Sequence, residues 1–274
     1  MLFYTKTPKF ISSLLFHLFY VVVSLLFFSP SRSFSQEKKL PREELIALAK
    51  EAVNNMNNEL YEKSLIQSRS ALRYAILAKD VELIAQIYNI IGGNFDGLLA
   101  YEKAMFYYKK GLIFAEKTNN NVSKYTINNN LGNIYFFDKK DFKKGIYHYK
   151  KALEYCSKIK DTSNMVFTKI NMAWAFFDIQ KFDEGYPYLQ FVNDNFSKHG
   201  DTSLKCISSM LNGMYLSYKK DTKKATTFFE NAIKYGIEEE EKSDLSYAYL
   251  EYSKFLNKNG LHKKAYAFLE QYNK

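Results

Sequence analysis

The chain repeats itself about every forty residues, and this period constrains the fold more than any other feature of its 274 residues. The segments YEKAMFYYKKGLIFA from Tyr101, FKKGIYHYKKALEYC from Phe142, FDEGYPYLQFVNDNF from Phe182 and TKKATTFFENAIKYG from Thr222 follow one template. A small residue recurs at Ser64, Ala104, Gly145, Gly185, Ala225 and Ala265, in steps of 40, 41, 40, 40 and 40. A second small residue lies upstream of each, at Ala52, Gly92, Gly132, Ala173, Gly213 and Ser253, 12 residues before its partner in five repeats and 13 in the third. Two antiparallel helices joined by a short turn come close only where neither presents a bulky side chain. All twelve contact positions are Gly, Ala or Ser, so each repeat reads as one helical hairpin. With 4 Pro and 11 Gly in the chain, the turn residues that a sandwich or barrel needs are too few, and the chain reads as all-α.

A bulky residue follows the upstream small position by three in most repeats, at Phe95, Tyr135, Phe176, Leu216 and Leu256, placed to wedge between neighbouring hairpins. Polar reversals such as Asp138-Lys139-Lys140-Asp141 and Asn257-Lys258-Asn259-Gly260 separate the helices. This pattern resembles the tetratricopeptide repeat family. The second repeat matches it best, through Tyr88, Ile91, Gly92, Phe95, Ala104, Tyr108 and Gly111. The resemblance implies a right-handed superhelical solenoid of six hairpins over 45–84, 85–124, 125–165, 166–205, 206–245 and 246–274, after a lead-in at 36–44. The period exceeds the family's common one, as in extended members that bind peptides. It also looks like the exported sensory portions of bacterial regulators, so a sensor part without its output domain is the alternative reading. The first copy is weak, with Asn55 and Ser68 at positions expected to be bulky. The last ends at Lys274 without the additional solvating helix that closes such arrays.

Residues 1–35 differ from the rest: Lys6 and Lys9 precede an apolar run from Ile11 to Phe28, followed by Pro30 and Ser33-Phe34-Ser35. A basic start, an apolar middle and a small-x-small exit make a secretory signal with cleavage expected before Gln36. An uncleaved anchor through residues 11–28 is the competing reading. Either places the body in the periplasm or cell envelope, with membrane contact expected only if the segment stays uncleaved. Losing Lys6, Lys9 and Arg32 lowers the formal charge from +10 to +7. The remaining Lys look scattered among Asp, Glu and Asn, which with export argues against nucleic acid as a partner.

No catalytic, cofactor or metal constellation is legible, and the chain reads as a binding protein, not an enzyme. His17 lies in the signal, and His148, His199 and His262 are far apart. Consecutive carboxylates at 238–241 point in different directions on a helix and read as a solvated turn. Cys156 and Cys206 fall in non-adjacent repeats, which predicts two buried thiols and no disulfide.

The resemblance implies a partner, protein or peptide, in a concave groove lined by the first helix of each repeat. Inner positions include Ala49, Asn89, Asn129, Ile170, Met210 and Leu250, then Val53, Gly93, Asn133, Trp174, Met214 and Lys254. Asn89, Asn129 and Asn133 resemble the amide ladder with which peptide-binding members grip a peptide backbone, since Asn both donates and accepts. Phe136, Trp174, Met210 and Met214 add an expected apolar surface, so the groove is expected to begin polar and become apolar.

Overall fold

The computed structural model describes residues 40–239 and 242–272, and within them twelve α-helices follow one another as six hairpins. The expected signal and most of the lead-in lie outside the described residues. The chain divides into two units, 1–40 and 41–274, and the second holds all twelve helices. First helices are α1 (Arg42–Asn57), α3 (Val81–Gly97), α5 (Asn121–Asn133), α7 (Thr162–Asp178), α9 (Lys205–Tyr218) and α11 (Lys242–Lys258). Second helices are α2 (Tyr61–Ala78), α4 (Tyr101–Ala115), α6 (Phe142–Ile159), α8 (Phe182–His199), α10 (Thr222–Glu238) and α12 (His262–Tyr272). Each pairs with its hairpin partner and with the helix that follows, which makes an all-α solenoid.

The small residues do what their spacing implies. A Cβ on Gly92 would lie 2.5 Å from the Tyr108 ring, and one on Gly132 would lie 2.6 Å from the Tyr149 ring. Each ring lies flat on bare backbone and is buried by it. Each hairpin turns on a single residue of positive φ: Glu59, Leu99, Lys140, Gln180, Lys220 and Gly260, so the turn recurs with the repeat. Helix starts are fixed by side chains that accept from the first free amides, among them Asp80 from Leu83 N (3.0 Å), Asn120 from Ser123 N (2.9 Å) and Asp161 from Asn164 N (2.9 Å).

Repeat three departs from the others. Its first helix ends in a π-helical segment, Ile134–Asp138, the structural form of the extra residue between Gly132 and Gly145. The wider turn buries Phe136 and directs Phe137 against Trp174, ring centroids 4.9 Å apart.

Tyr149 ties this repeat together. Fully buried, it donates from its hydroxyl to Asn133 Oδ1 at 2.7 Å, and the same oxygen accepts from Asn171 Nδ2 of the next repeat at 3.2 Å. Tyr149→Phe should lower unfolding stability by about 1 kcal/mol in urea titration, because one bond of the pair survives. Unchanged stability would mean that the hydroxyl contributes nothing.

Candidate functional site

The first helices form the inner wall, and stacking leaves a cavity of about 350 Å³ between α1, α3 and α5. Ile46, Ala49, Val53, Leu83, Ile90 and Val122 make its apolar lining, and Lys50, Gln86, Asn89, Ser123 and Thr126 its polar edge. The connection between α4 and α5 runs through residues 116–120, longer than the two residues between α2 and α3. Val122 at the start of α5 is left 53% exposed.

Of the residues that the sequence places at inner positions, Ala49, Val53 and Asn89 line this cavity, and Asn89 alone of those singled out to grip or anchor a partner. Its Oδ1 accepts from Asn130 Nδ2 of the next repeat at 3.2 Å. Asn129 is buried and accepts from Thr168 Oγ1 at 3.2 Å, and Asn133 is held by Tyr149 and Asn171. The amides expected to grip a ligand instead bind successive repeats to one another. Phe136 and Met210 are wholly buried and Met214 nearly so, which removes them from the surface. They belong to the core because α6 covers Phe136, while α7, α9 and α10 enclose the two Met side chains. The expected polarity of the groove is therefore reversed at its start: the cavity between repeats one to three is mainly apolar.

Trp174 is half-buried and packs edge-on against Tyr247 of α11, centroids 4.9 Å apart, as well as against Phe137. Repeats four and six thus touch across repeat five, which a strictly neighbour-to-neighbour solenoid does not allow. Around this aromatic group stand Asp96 at the end of α3, Asp138 at the end of the π segment, and Tyr101. Tyr101 donates to Asp138, and burial plus that bond push its hydroxyl up to about 12. Burial, reinforced by the charge of Asp138, raises Asp96 to about 6 against the opposing bond from Tyr108 at 3.4 Å. Asn89, Gly93 and Asp96 lie at i, i+4 and i+7 on one face of α3, so the apolar cavity and the acidic rim are about 10 Å apart along one helix.

Cys156 and Cys206 are both buried thiols, on α6 and α9. His148 is stacked on Tyr135 with interplanar angle 2°, and burial lowers it to about 4, so it stays neutral at ordinary pH.

Fold and site together define an all-α helical-repeat solenoid with an open inner face, an architecture that fits the tetratricopeptide type. No protein-family model matches the sequence, and no curated protein matches it. Solved structures do. The apo form of RapI superposes with a TM-score of 0.72 at 17% identity, over 96% of this chain and 90% of that one. Aspartyl phosphate phosphatase F from Bacillus subtilis gives 0.70 at 17% identity, over 84% of this chain and 59% of that one. A Rap protein complexed with competence and sporulation factor gives 0.64 at 17% identity, over 85% of this chain and 65% of that one. This chain therefore spans less than two thirds of the last two proteins. At such identities the similarity establishes the helical-repeat fold.

Proposed function

We propose that the protein is an exported interaction module that binds an extended peptide or protein segment on its concave face. The observation that carries this reading is the apolar cavity between α1, α3 and α5, edged by Asn89 and Gln86. Phe136, Phe177 and Met210, on the first helices of later repeats, are by contrast wholly buried. An apolar recess with a few polar groups at its rim suits a ligand side chain inside and backbone amides at the edge. A protein of similar fold has been solved in complex with competence and sporulation factor, which supports a ligand-binding use of this architecture. Export rests on the sequence of residues 1–35, and the mature protein is expected to begin at Gln36.

The experiment is selection from a random peptide library, with Val53→Trp as a blocked comparator, since Val53 lines the cavity and is half-buried. Selected peptides should bind the parent protein at least about tenfold more tightly than the variant, the loss expected when an anchoring side chain is excluded. Peptides that bind both proteins equally would remove the cavity from consideration. The mass of the protein recovered from its native cells tests export separately: retention of residues 1–35 in the cytoplasmic fraction would overturn it.

A further inference from the structure

The Lys and Arg side chains that look scattered in the sequence are gathered by the fold onto one outer surface. Helices α2, α4 and α6 carry eleven Lys or Arg against three Glu, whereas α8, α10 and α12 carry six against six Asp or Glu. Two of those three Glu are already engaged, Glu102 by Lys139, and Glu154 by Lys151 and Lys158.

The arrangement follows the repeat. In each second helix the residue before the small contact position and the second and fifth after it face away from the hairpin partner. In repeats one to three the middle position is apolar: Ile66, Phe106 and Tyr147, which are 63%, 51% and 56% exposed. The position before it is Lys63, Lys103 and Lys144, and the one after is Arg69, Lys109 and Lys150, all exposed. The pattern stops at repeat four, where the same positions hold Glu184, Pro187 and Gln190, and in repeats five and six the middle residue is Thr227 and Ala267. On α4 the stripe continues through Lys110, whose ammonium lies 4.6 Å from the Phe106 ring, to Ile113, 58% exposed.

We infer that the outer face of α2, α4 and α6 docks on an anionic lipid bilayer. Positive charge draws such a face to acidic headgroups, and the exposed Ile66, Phe106 and Ile113 enter the boundary just below them. The apolar side chains favour a bilayer over a nucleic acid. A phosphate backbone satisfies Lys and Arg but offers nothing to an exposed Ile or Phe. No described helix is long and apolar enough to cross a membrane.

The body from Gln36 suits the test, because its core lies within 41–274. It should float with phosphatidylcholine vesicles containing about 30% phosphatidylglycerol and not with phosphatidylcholine alone, and about 0.5 M NaCl should weaken binding. Lys63→Glu, Lys103→Glu and Lys144→Glu together should reduce partitioning by about a hundredfold. Ile66→Ser with Phe106→Ser should reduce it about tenfold while leaving the charge unchanged. Lys224→Glu with Lys264→Glu, at the same repeat position in the neutral half, should leave it unaltered. All seven positions are exposed, and unchanged helical circular dichroism would confirm folding. Equal flotation with uncharged vesicles, an equal loss from the Lys224 and Lys264 pair, or insensitivity to the apolar pair with strong binding of a duplex oligonucleotide would each overturn the proposal.

Discussion

Gly145→Ala should destabilise the protein by about 1–2 kcal/mol and Gly145→Val by about 3 kcal/mol or more, as shifts of the urea midpoint. Ala is ordinarily worth up to about 1 kcal/mol more than Gly inside a helix, so the expected sign opposes intrinsic propensity. Repeat position does not forbid Ala either, since the equivalent residues in repeats two, five and six are Ala104, Ala225 and Ala265. The difference lies in what the added methyl meets. A Cβ on Gly145 would meet Phe136 Cβ at 2.7 Å and Phe136 Cα and N at 3.0 Å, the last two of them backbone atoms of the π segment. Backbone cannot rotate away as a ring can. Gly213, whose added Cβ would meet only the Phe229 ring at 3.0 Å, should tolerate Ala better. If Gly213→Ala proved the more damaging, contact with backbone would not be what sets the requirement.

The same comparison shows which parts of the structure a linear sequence conveys. The twelve small contact positions and the odd spacing in repeat three are legible, because hairpin packing depends on residues a fixed number of positions apart. Period alone does not give the rotation of each repeat relative to the last. That rotation brings Tyr247 to Trp174 across repeat five and leaves the cavity between α1, α3 and α5. The fate of the Asn residues was hidden for a chemical reason. An inner-facing amide satisfies a neighbouring repeat as readily as a peptide, and Asn129 with Thr168, and Asn133 with Asn171, are partners 39 and 38 residues apart. Phe136 and Met210 lie in the core because an apolar side chain at an inner position serves the core as well as a groove. Ile46 and Leu83 carried no signal beyond helical periodicity.

Asp96→Asn should stabilise the protein by about 1–2 kcal/mol at neutral pH and by nothing near pH 4. The carboxyl of Asp96 is raised to about 6 by burial first and by the charge of Asp138 second, with Tyr108 pulling the other way. An unfolded Asp titrates near pH 4, so between about pH 4 and 6 the folded chain holds a proton that the unfolded chain has released. Stability attributable to this group therefore falls as pH rises through that window, opposite to the usual behaviour of a paired carboxylate. An Asn at the same place is neutral throughout and can still accept from the Tyr108 hydroxyl. The variant and the parent should converge in acid and separate towards neutrality. Asp138→Asn should recover part of the same gain, because it removes the second cause and leaves the first. An Asn at 138 can still accept from Tyr101 but loses the attraction of Lys140 and Lys139, so its net effect should be the smaller of the two. Urea titrations of parent and Asp96→Asn at several pH values would decide it: parallel curves from pH 4 to 7 would show that the carboxyl is no more costly folded than unfolded.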